Sequence, residues 1–150
     1  FPEAWVWHKR RTDFRKFWRQ VYNSGIARIN LYRKYPDSLK PVHLLPMVFT
    51  VGIIFLSLLS LCGIIMLCLP STKSTGCILL LLGLIPLLLY SAVICIDSSR
   101  QNHSLKIGLL SIRAAFIQLT GYGCGFISAW WKRCVCGKDE FSAYNKTFYK

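Results

Sequence analysis

The sequence predicts an all-α membrane protein with an amphipathic interfacial helix, a transmembrane helical hairpin and a third membrane segment. Three observations predict this class. The chain of 150 residues is 53% hydrophobic, yet it carries a formal net charge of +13. Residues 44–69 and 76–96 contain no charged side chain, so charge and hydrophobicity are separated along the chain. Before these runs, apolar residues recur with the period of an α-helix.

Residues 12–33 are predicted to form the amphipathic helix, because their apolar side chains are spaced three or four residues apart. Thr12 suits the N-cap, and Asp13 suits the positive end of the helix dipole. Basic side chains occupy the other faces, which favours a helix with its apolar face in the acyl boundary and its cations on anionic headgroups. A nucleic-acid reader with this pattern would belong to a soluble domain, so we expect no nucleic-acid partner. The apolar positions are Phe14, Phe17, Trp18, Val21, Tyr22, Ile26, Ile29 and Tyr32.

The two uncharged runs are predicted to cross a bilayer as an antiparallel helical hairpin. At ~1.5 Å per residue, residues 44–69 reach about 39 Å, which exceeds the ~30 Å of the hydrocarbon core. Residues 76–96 are also long enough, and Pro86 is expected to kink their helix. The connection at residues 70–75 is short and rich in turn formers, so the two helices should be neighbours.

Residues 107–131 form the third predicted membrane segment. Its length and the pair Trp130–Trp131 favour a crossing that ends in an interfacial anchor. Arg113, however, costs ~2.5–3.5 kcal/mol on insertion scales when it lies at a helix centre. The small residues of 121–125 are expected to pack against the hairpin, because small residues let membrane helices approach closely.

The distribution of cations predicts the orientation. Residues 1–43 hold ten of the nineteen Lys and Arg residues, whereas the hairpin connection holds only Lys73. The positive-inside rule therefore places residues 1–43 in the cytoplasm and the hairpin tip outside. If the third segment crosses, the basic tail at 132–150 ends outside, against the rule. If that segment is re-entrant or interfacial, the tail stays inside, and both arrangements remain open.

The cysteines do not indicate a metal site. Five of the seven lie in or beside apolar runs, where a thiol behaves as a small hydrophobe. Cys134 and Cys136 form a C-x-C pair in the tail, but a tetrahedral zinc site needs four ligands. We expect two unpaired thiols and no metal bound within these 150 residues.

Two stretches resemble membrane-bound family-two glycosyltransferases. Residues 2–28 (PEAWVWHKRRTDFRKFWRQVYNSGIAR), with the hydrophobic segments that follow, and residues 116–133 (FIQLTGYGCGFISAWWKR) are similar to the C-terminal third of bacterial enzymes of the succinoglycan-synthase type. The resemblance implies a GT-A catalytic domain that binds a nucleotide sugar through Mg or Mn and an Asp-x-Asp motif. That domain would invert the anomeric carbon as it transfers sugar to a membrane-associated glycan or lipid acceptor in envelope polysaccharide synthesis.

The resemblance also implies a domain organisation and a location. Because the chain begins at Phe1 rather than Met, we expect a piece of a longer protein whose catalytic carboxylates lie upstream. Residues 1–43 would be the cytoplasmic end of the catalytic domain with the interfacial helix, 44–131 the transmembrane region and 132–150 a basic tail. The whole would be a multi-pass protein of the bacterial cytoplasmic membrane. The alternative is a non-enzymatic membrane anchor or scaffold module.

Candidate substrate-binding residues precede the hairpin. A departing nucleoside diphosphate develops negative charge, which preorganised cations stabilise, so His8, Arg15 and Arg19 are candidates. Gln20 stands at the first position of the Q-x-x-R-W motif that cellulose-synthase-like members carry. Asn23 and Ser24 stand where its Arg and Trp would be, so the match to this motif is incomplete.

A further candidate lies in the third segment. Arg113 is an ionisable residue within a membrane segment, which makes it a functional candidate by default. With Gln118 and Tyr122 it would line a path for a lipid-linked acceptor. Its side chain could instead extend to the cytoplasmic interface, as long basic side chains do.

Overall fold

The computed structural model describes residues 13–139, which form four α-helices and no strand. The helices are α1 (Phe14–Lys34), α2 (Leu45–Leu67), α3 (Lys73–Asn102) and α4 (Leu105–Trp130). Short 3-10 turns precede α2 and α3, and a π-helical turn over Trp131–Val135 follows α4. The predicted all-α membrane class is confirmed, because three helices of the described residues are long and apolar enough to cross a membrane.

α1 begins one residue later than predicted. Asp13 is the N-cap, and its side-chain oxygen accepts a hydrogen bond from the backbone N–H of Arg15 at 2.8 Å. Thr12, the predicted N-cap, lies outside the described residues. Arg33 and Lys34 in the last turn suit the negative end of the helix dipole.

The predicted hairpin of α2 and α3 is confirmed, and small residues bring its two helices together. A Cβ atom at Gly63 would lie 2.6 Å from the backbone nitrogen of Leu80 and 2.8 Å from the carbonyl oxygen of Gly76. Gly83 faces Ser60 in the same way. Close backbone contacts of this kind stabilise helix pairs in lipid. Moving an apolar side chain from lipid into a helix interface contributes little free energy, because lipid tails are equally apolar. Leucines and isoleucines point outwards along both helices, forming an apolar surface for lipid contact.

α3 is longer than predicted. The helix continues through Pro86 and past the end of the predicted segment 76–96, so that residues 97–102 also belong to it. The Gln101 amide donates to both carboxylate oxygens of Asp97 at 3.0 Å, which supports the extra turn. The helix ends at His103, which adopts the left-handed conformation with φ of 50°.

α4 contacts both helices of the hairpin. The hydroxyls of Ser98 and Ser111 are 2.7 Å apart, and the Thr50 hydroxyl lies 3.4 Å from the Leu119 carbonyl oxygen. An aromatic cluster joins α2, α3 and α4, with ring centroids 5.1 to 5.8 Å apart. Its members are Phe49, Tyr90 and Phe116.

α1 runs parallel to α4 and packs tightly on it. A Cβ atom at Gly25 would overlap the carbonyl oxygen of Tyr122, and one at Gly125 would overlap that of Tyr22. Beside these glycines lies the core of buried side chains. Its members are Ile26, Ile29, Phe126 and Ala129.

Two expectations about this packing are therefore wrong. The centre of the apolar face of α1 covers α4 rather than the acyl boundary, because Ile26 and Ile29 are buried there. Gly121 and Gly125 pack against α1 rather than against the hairpin; of the three glycines, only Gly123 faces α2, at Thr50. Glycines four residues apart leave a groove on one face of α4, which admits the backbone of α1.

Candidate functional site

A cavity of about 250 Å³ lies where α1, α2 and α4 meet the turn before α2. Four of its lining side chains carry hydrogen-bonding groups and three are apolar. The polar ones are Arg28, His43, Gln118 and Tyr122, and the apolar ones are Val42, Pro46 and Leu119.

A local hydrogen bond orients His43 in this cavity. The residue belongs to the 3-10 turn Pro41–Leu44, and its Nδ1 accepts a hydrogen bond from the backbone N–H of Lys40 at 3.0 Å. An accepting Nδ1 carries no proton, so the neutral ring carries its proton on Nε2. His43 therefore has a hydrogen-bond donor in Nε2.

Helix packing brings the other polar groups together. Gln118 and Tyr122 are four residues apart on α4, so they share one face of that helix. The Thr50 contact at Leu119 holds this face against α2. Arg28 projects from α1, near the residues through which α1 packs on α4.

The cavity suits an anion. Four carboxylates occur among residues 13–139, at Asp13, Asp37, Asp97 and Asp139, and none of them lines the cavity. Arg28 contributes a guanidinium with several N–H donors in one plane, a geometry that matches phosphate oxygens. With the donors of His43, Gln118 and Tyr122, the arrangement is typical of a site for a phosphate group.

The candidates predicted on α1 lie away from this cavity. Arg15, Arg19 and Gln20 are exposed, and none of them lines it. Arg19 precedes Arg28 by nine residues, which at about 100° per residue places it on the opposite side of the helix. His8 falls outside the described residues.

Arg113 also lies away from the cavity. Its guanidinium stacks on the Phe14 ring, 4.5 Å from the ring centroid, a cation–π contact that joins α4 to the first turn of α1. Nine residues separate Arg113 from Tyr122, so the two side chains lie on opposite sides of α4. Of the three residues predicted to line an acceptor path, the structure therefore brings Gln118 and Tyr122 together and separates Arg113.

The described residues do not fit the divalent metal that the resemblance implies. Between residues 13 and 139, no three His, Cys, Asp or Glu side chains lie close enough to share an ion. Cys134 is half-buried against the α1–α4 core, Cys136 is exposed, and both are free thiols.

Sequence reasoning did not single out Arg28 and His43. His43 precedes the first apolar run directly and follows Pro41, which marks a turn at the membrane boundary. A histidine at such a boundary was the available signal. Arg28 carried no comparable signal, because it is one of several cations on α1.

Searches of family models, curated proteins and solved structures find no match to this chain.

Proposed function

We propose that this chain is the membrane region of an inverting glycosyltransferase, and that its cavity binds the phosphate of a lipid-linked acceptor. The observation that supports this is the meeting of Arg28, His43, Gln118 and Tyr122 in a cavity that no carboxylate of the described residues lines. The glycosyltransferase class itself rests on the resemblance of residues 2–28 and 116–133. The same resemblance supports a bacterial cytoplasmic membrane and a cytoplasmic N-terminal part.

The position of the cavity suits a phosphate attached to a hydrocarbon chain. It lies beside Pro46, in the first turn of α2, where the uncharged run begins. A phosphate at that level remains among headgroups, while an attached polyprenyl chain can follow the exposed apolar side chains of α2 into the bilayer. Val42 and Leu119 supply apolar contact where the two parts of such a ligand meet.

In the proposed reaction, this chain binds and orients the acceptor. An acceptor hydroxyl would give its proton to a catalytic carboxylate of the domain expected upstream and form a bond to the anomeric carbon of the nucleotide sugar. The bond from that carbon to the nucleoside diphosphate breaks, and the diphosphate leaves from the opposite face of the sugar. Arg28 and the other donors of the cavity hold the lipid phosphate still, so that the hydroxyl stays within reach of the donor sugar. Arg15, Arg19 and Gln20, on the exposed face of α1, would border the catalytic domain.

Binding of a polyprenyl-phosphate analogue tests the cavity. We expect Arg28→Gln to weaken binding by about 10- to 100-fold, since a hydrogen bond to a charged group contributes ~1.5–3 kcal/mol. Arg33→Gln is the matched control, because Arg33 is exposed in the last turn of the same helix and the charge change is identical. Equal affinities of the two variants would contradict the proposed phosphate site.

Turnover of the full-length protein in membranes tests the catalytic part of the proposal. Arg19→Ala and Gln20→Ala should lower sugar transfer from a nucleotide sugar if α1 borders the active site. Wild-type turnover in both variants would remove these residues from the substrate-binding set.

A non-enzymatic membrane anchor is the second candidate. The outward leucines and isoleucines of the hairpin and the cations of α1 are features that suffice for binding to a membrane. In that case the full-length protein would transfer no sugar from any nucleotide sugar, and loss of Arg28 would leave its retention in the membrane unchanged. The sequence of the coding frame upstream of Phe1 also distinguishes the two, because an Asp-x-Asp motif within alternating strands and helices favours the enzyme.

A further inference from the structure

We infer that α4 does not cross the membrane, and that α1 and α4 together form a surface layer that binds the headgroup region where the hairpin begins. This surface layer comprises residues 14–34 and 105–130. Its partner is an anionic lipid surface. The inference concerns topology, and it does not depend on the proposed enzymatic function.

The second half of α4 stays beside the first turns of α2. With 23 residues, α2 extends about 35 Å from one face of a bilayer to the other. Leu119 contacts α2 at Thr50, and a Cβ atom at Gly123 would lie 2.5 Å from the carbonyl oxygen of Pro46. Thus α4 advances by several residues while its neighbours in α2 remain within the first six.

The end of α4 remains at the same level. The buried core that contains Phe126 and Ala129 packs against Leu44 and Met47, which lie at the beginning of α2. A helix that crossed beside the hairpin would instead end near the hairpin tip. Near the tip, Gly63 of α2 and Gly76 of α3 pack against each other's helix, and no residue of α4 is among their nearest neighbours.

The first half of α4 approaches from outside the hydrocarbon region. The rings of Phe49 and Tyr90 are 5.1 Å apart, which places the first turns of α2 at the level of Tyr90 in α3. Gly108 lies against Cys95 and Ser99, farther along α3 than Tyr90. At these contacts α4 therefore lies farther from the hairpin tip than the start of α2 does. Along its length, α4 comes no closer to the tip than the level of Thr50.

α1 belongs to the same layer because it follows α4 along its length. Contacts run from Phe14 at Arg113 to Gly25 at Phe126. In this position Arg113 does not lie at the bilayer centre, so the cost of inserting an arginine there does not arise.

The charge of the layer fits anionic lipid. Residues 14–34 and 105–130 together hold eight Lys and Arg and no Asp or Glu, a formal net charge of +8. The exposed Trp130 and Trp131 at the other end suit the interface, where tryptophan is enriched. The arrangement also places Lys132, Arg133 and Lys138, which follow Trp131, on the same side as α1, in agreement with the positive-inside rule.

Labelling of single cysteines in the full-length protein tests this topology. Every other cysteine of the full-length protein is replaced by alanine, which leaves Cys136, an exposed residue after α4. Two reference variants carry no native cysteine and have either Asp37→Cys, before α2, or Lys73→Cys, at the hairpin tip. A membrane-impermeant maleimide is applied to intact and to permeabilised cells.

We expect Cys136 to react under the same condition as the Asp37→Cys variant and under the opposite condition to the Lys73→Cys variant. Reaction of Cys136 together with the hairpin tip would overturn the inference. If Cys136 reacts under neither condition, a reporter enzyme fused after Lys150, active on one side of the membrane only, decides between the two outcomes.

Vesicles of defined composition test the lipid partner. Protease protection of α1 should be greater in vesicles containing an anionic phospholipid than in purely zwitterionic ones, and added salt should reduce the difference. Equal protection in both kinds of vesicle would contradict an anionic lipid partner.

Discussion

The hairpin and the surface layer use glycine for close helix contact, but they differ in what surrounds the contact. In the hairpin, Gly63, Gly76 and Gly83 bring α2 and α3 together, while large apolar side chains point outwards. In the surface layer, Gly25 and Gly125 bring α1 and α4 together beside a core of buried apolar side chains.

The difference follows from the solvent on each side. Around the hairpin the solvent is lipid, which is as apolar as leucine, so burial of leucine contributes little and close backbone packing must hold the helices. The surface layer borders water, where burial of apolar area stabilises at roughly 25 cal/mol per Å². The same kind of glycine contact therefore supports two different modes of stabilisation.

Ile29→Ala should have the largest effect on stability. Ile29 is 0% exposed within the surface layer, and removing a buried isoleucine side chain costs about 2–5 kcal/mol. The measurement is thermal or denaturant unfolding in detergent micelles. Leu58→Ala is the control, since Leu58 is 56% exposed on the hairpin, and its loss should change stability little. Equal losses would show that the two regions are stabilised in the same way.

Gly125→Ala should come next, at about 1–3 kcal/mol. A Cβ atom there would overlap the Tyr22 carbonyl oxygen, and backbone cannot turn aside as a side chain can. We expect α1 to detach first, which limited proteolysis detects as faster cleavage within residues 14–34. Gly52→Ala is the matched control, because a Cβ atom at Gly52 meets nothing within 4 Å. Similar cleavage of both variants would argue against close α1–α4 contact.

Arg113→Gln should have a smaller effect, about 0.5–1 kcal/mol, as expected for an exposed cation–π pair. A double-mutant cycle with Phe14→Leu isolates the pair, since that change keeps apolar bulk and removes the ring. If the two changes are additive, the stacking seen at 4.5 Å does not contribute to stability.

Thr50→Val should have the smallest effect, near 0.6 kcal/mol, the average for hydrogen bonds between membrane helices. The hydroxyl lies 2.8 Å from the Pro46 carbonyl oxygen and 3.4 Å from that of Leu119, so the change weakens the link from the hairpin to α4. Ser91→Ala serves as the control, because the Ser91 hydroxyl donates its hydrogen bond to the Leu87 carbonyl oxygen within the same helix. The quantity to compare is the unfolding midpoint of the two variants in micelles.

Much of the fold could be predicted because it depends on local patterns. The uncharged runs at 44–69 and 76–96 contain the two hairpin helices, and the spacing of apolar residues in 12–33 marks α1. The predicted segment 76–96 ends before α3 does, because the apolar run stops at the polar residues Asp97, Ser98 and Ser99. The extension to Asn102 depends on side-chain hydrogen bonds and on contacts with α4.

The candidate site was predictable only in part. Gln118 and Tyr122 were expected, together with Arg113, to line a path for a lipid-linked acceptor, and the structure brings these two to the same cavity. Arg28 and His43 come from two other elements, and no local pattern indicates that they meet the same cavity. Arg113 fitted the general rule for ionisable residues in membrane segments, but the parallel packing of α1 gives it an aromatic partner on the other side of α4.

By itself, the sequence determined the class of protein, the hairpin and the amphipathic character of α1, because each of these depends on the composition and period of one contiguous segment. The tertiary structure decided which surface covers the apolar face of α1, where α4 lies along the hairpin and which polar groups share a cavity. These depend on contacts between different helices, some of them between residues about a hundred positions apart, such as Gly25 with Tyr122 and Tyr22 with Gly125. A glycine in the sequence indicates that another backbone can approach closely at that position. Which backbone approaches it depends on how the helices pack.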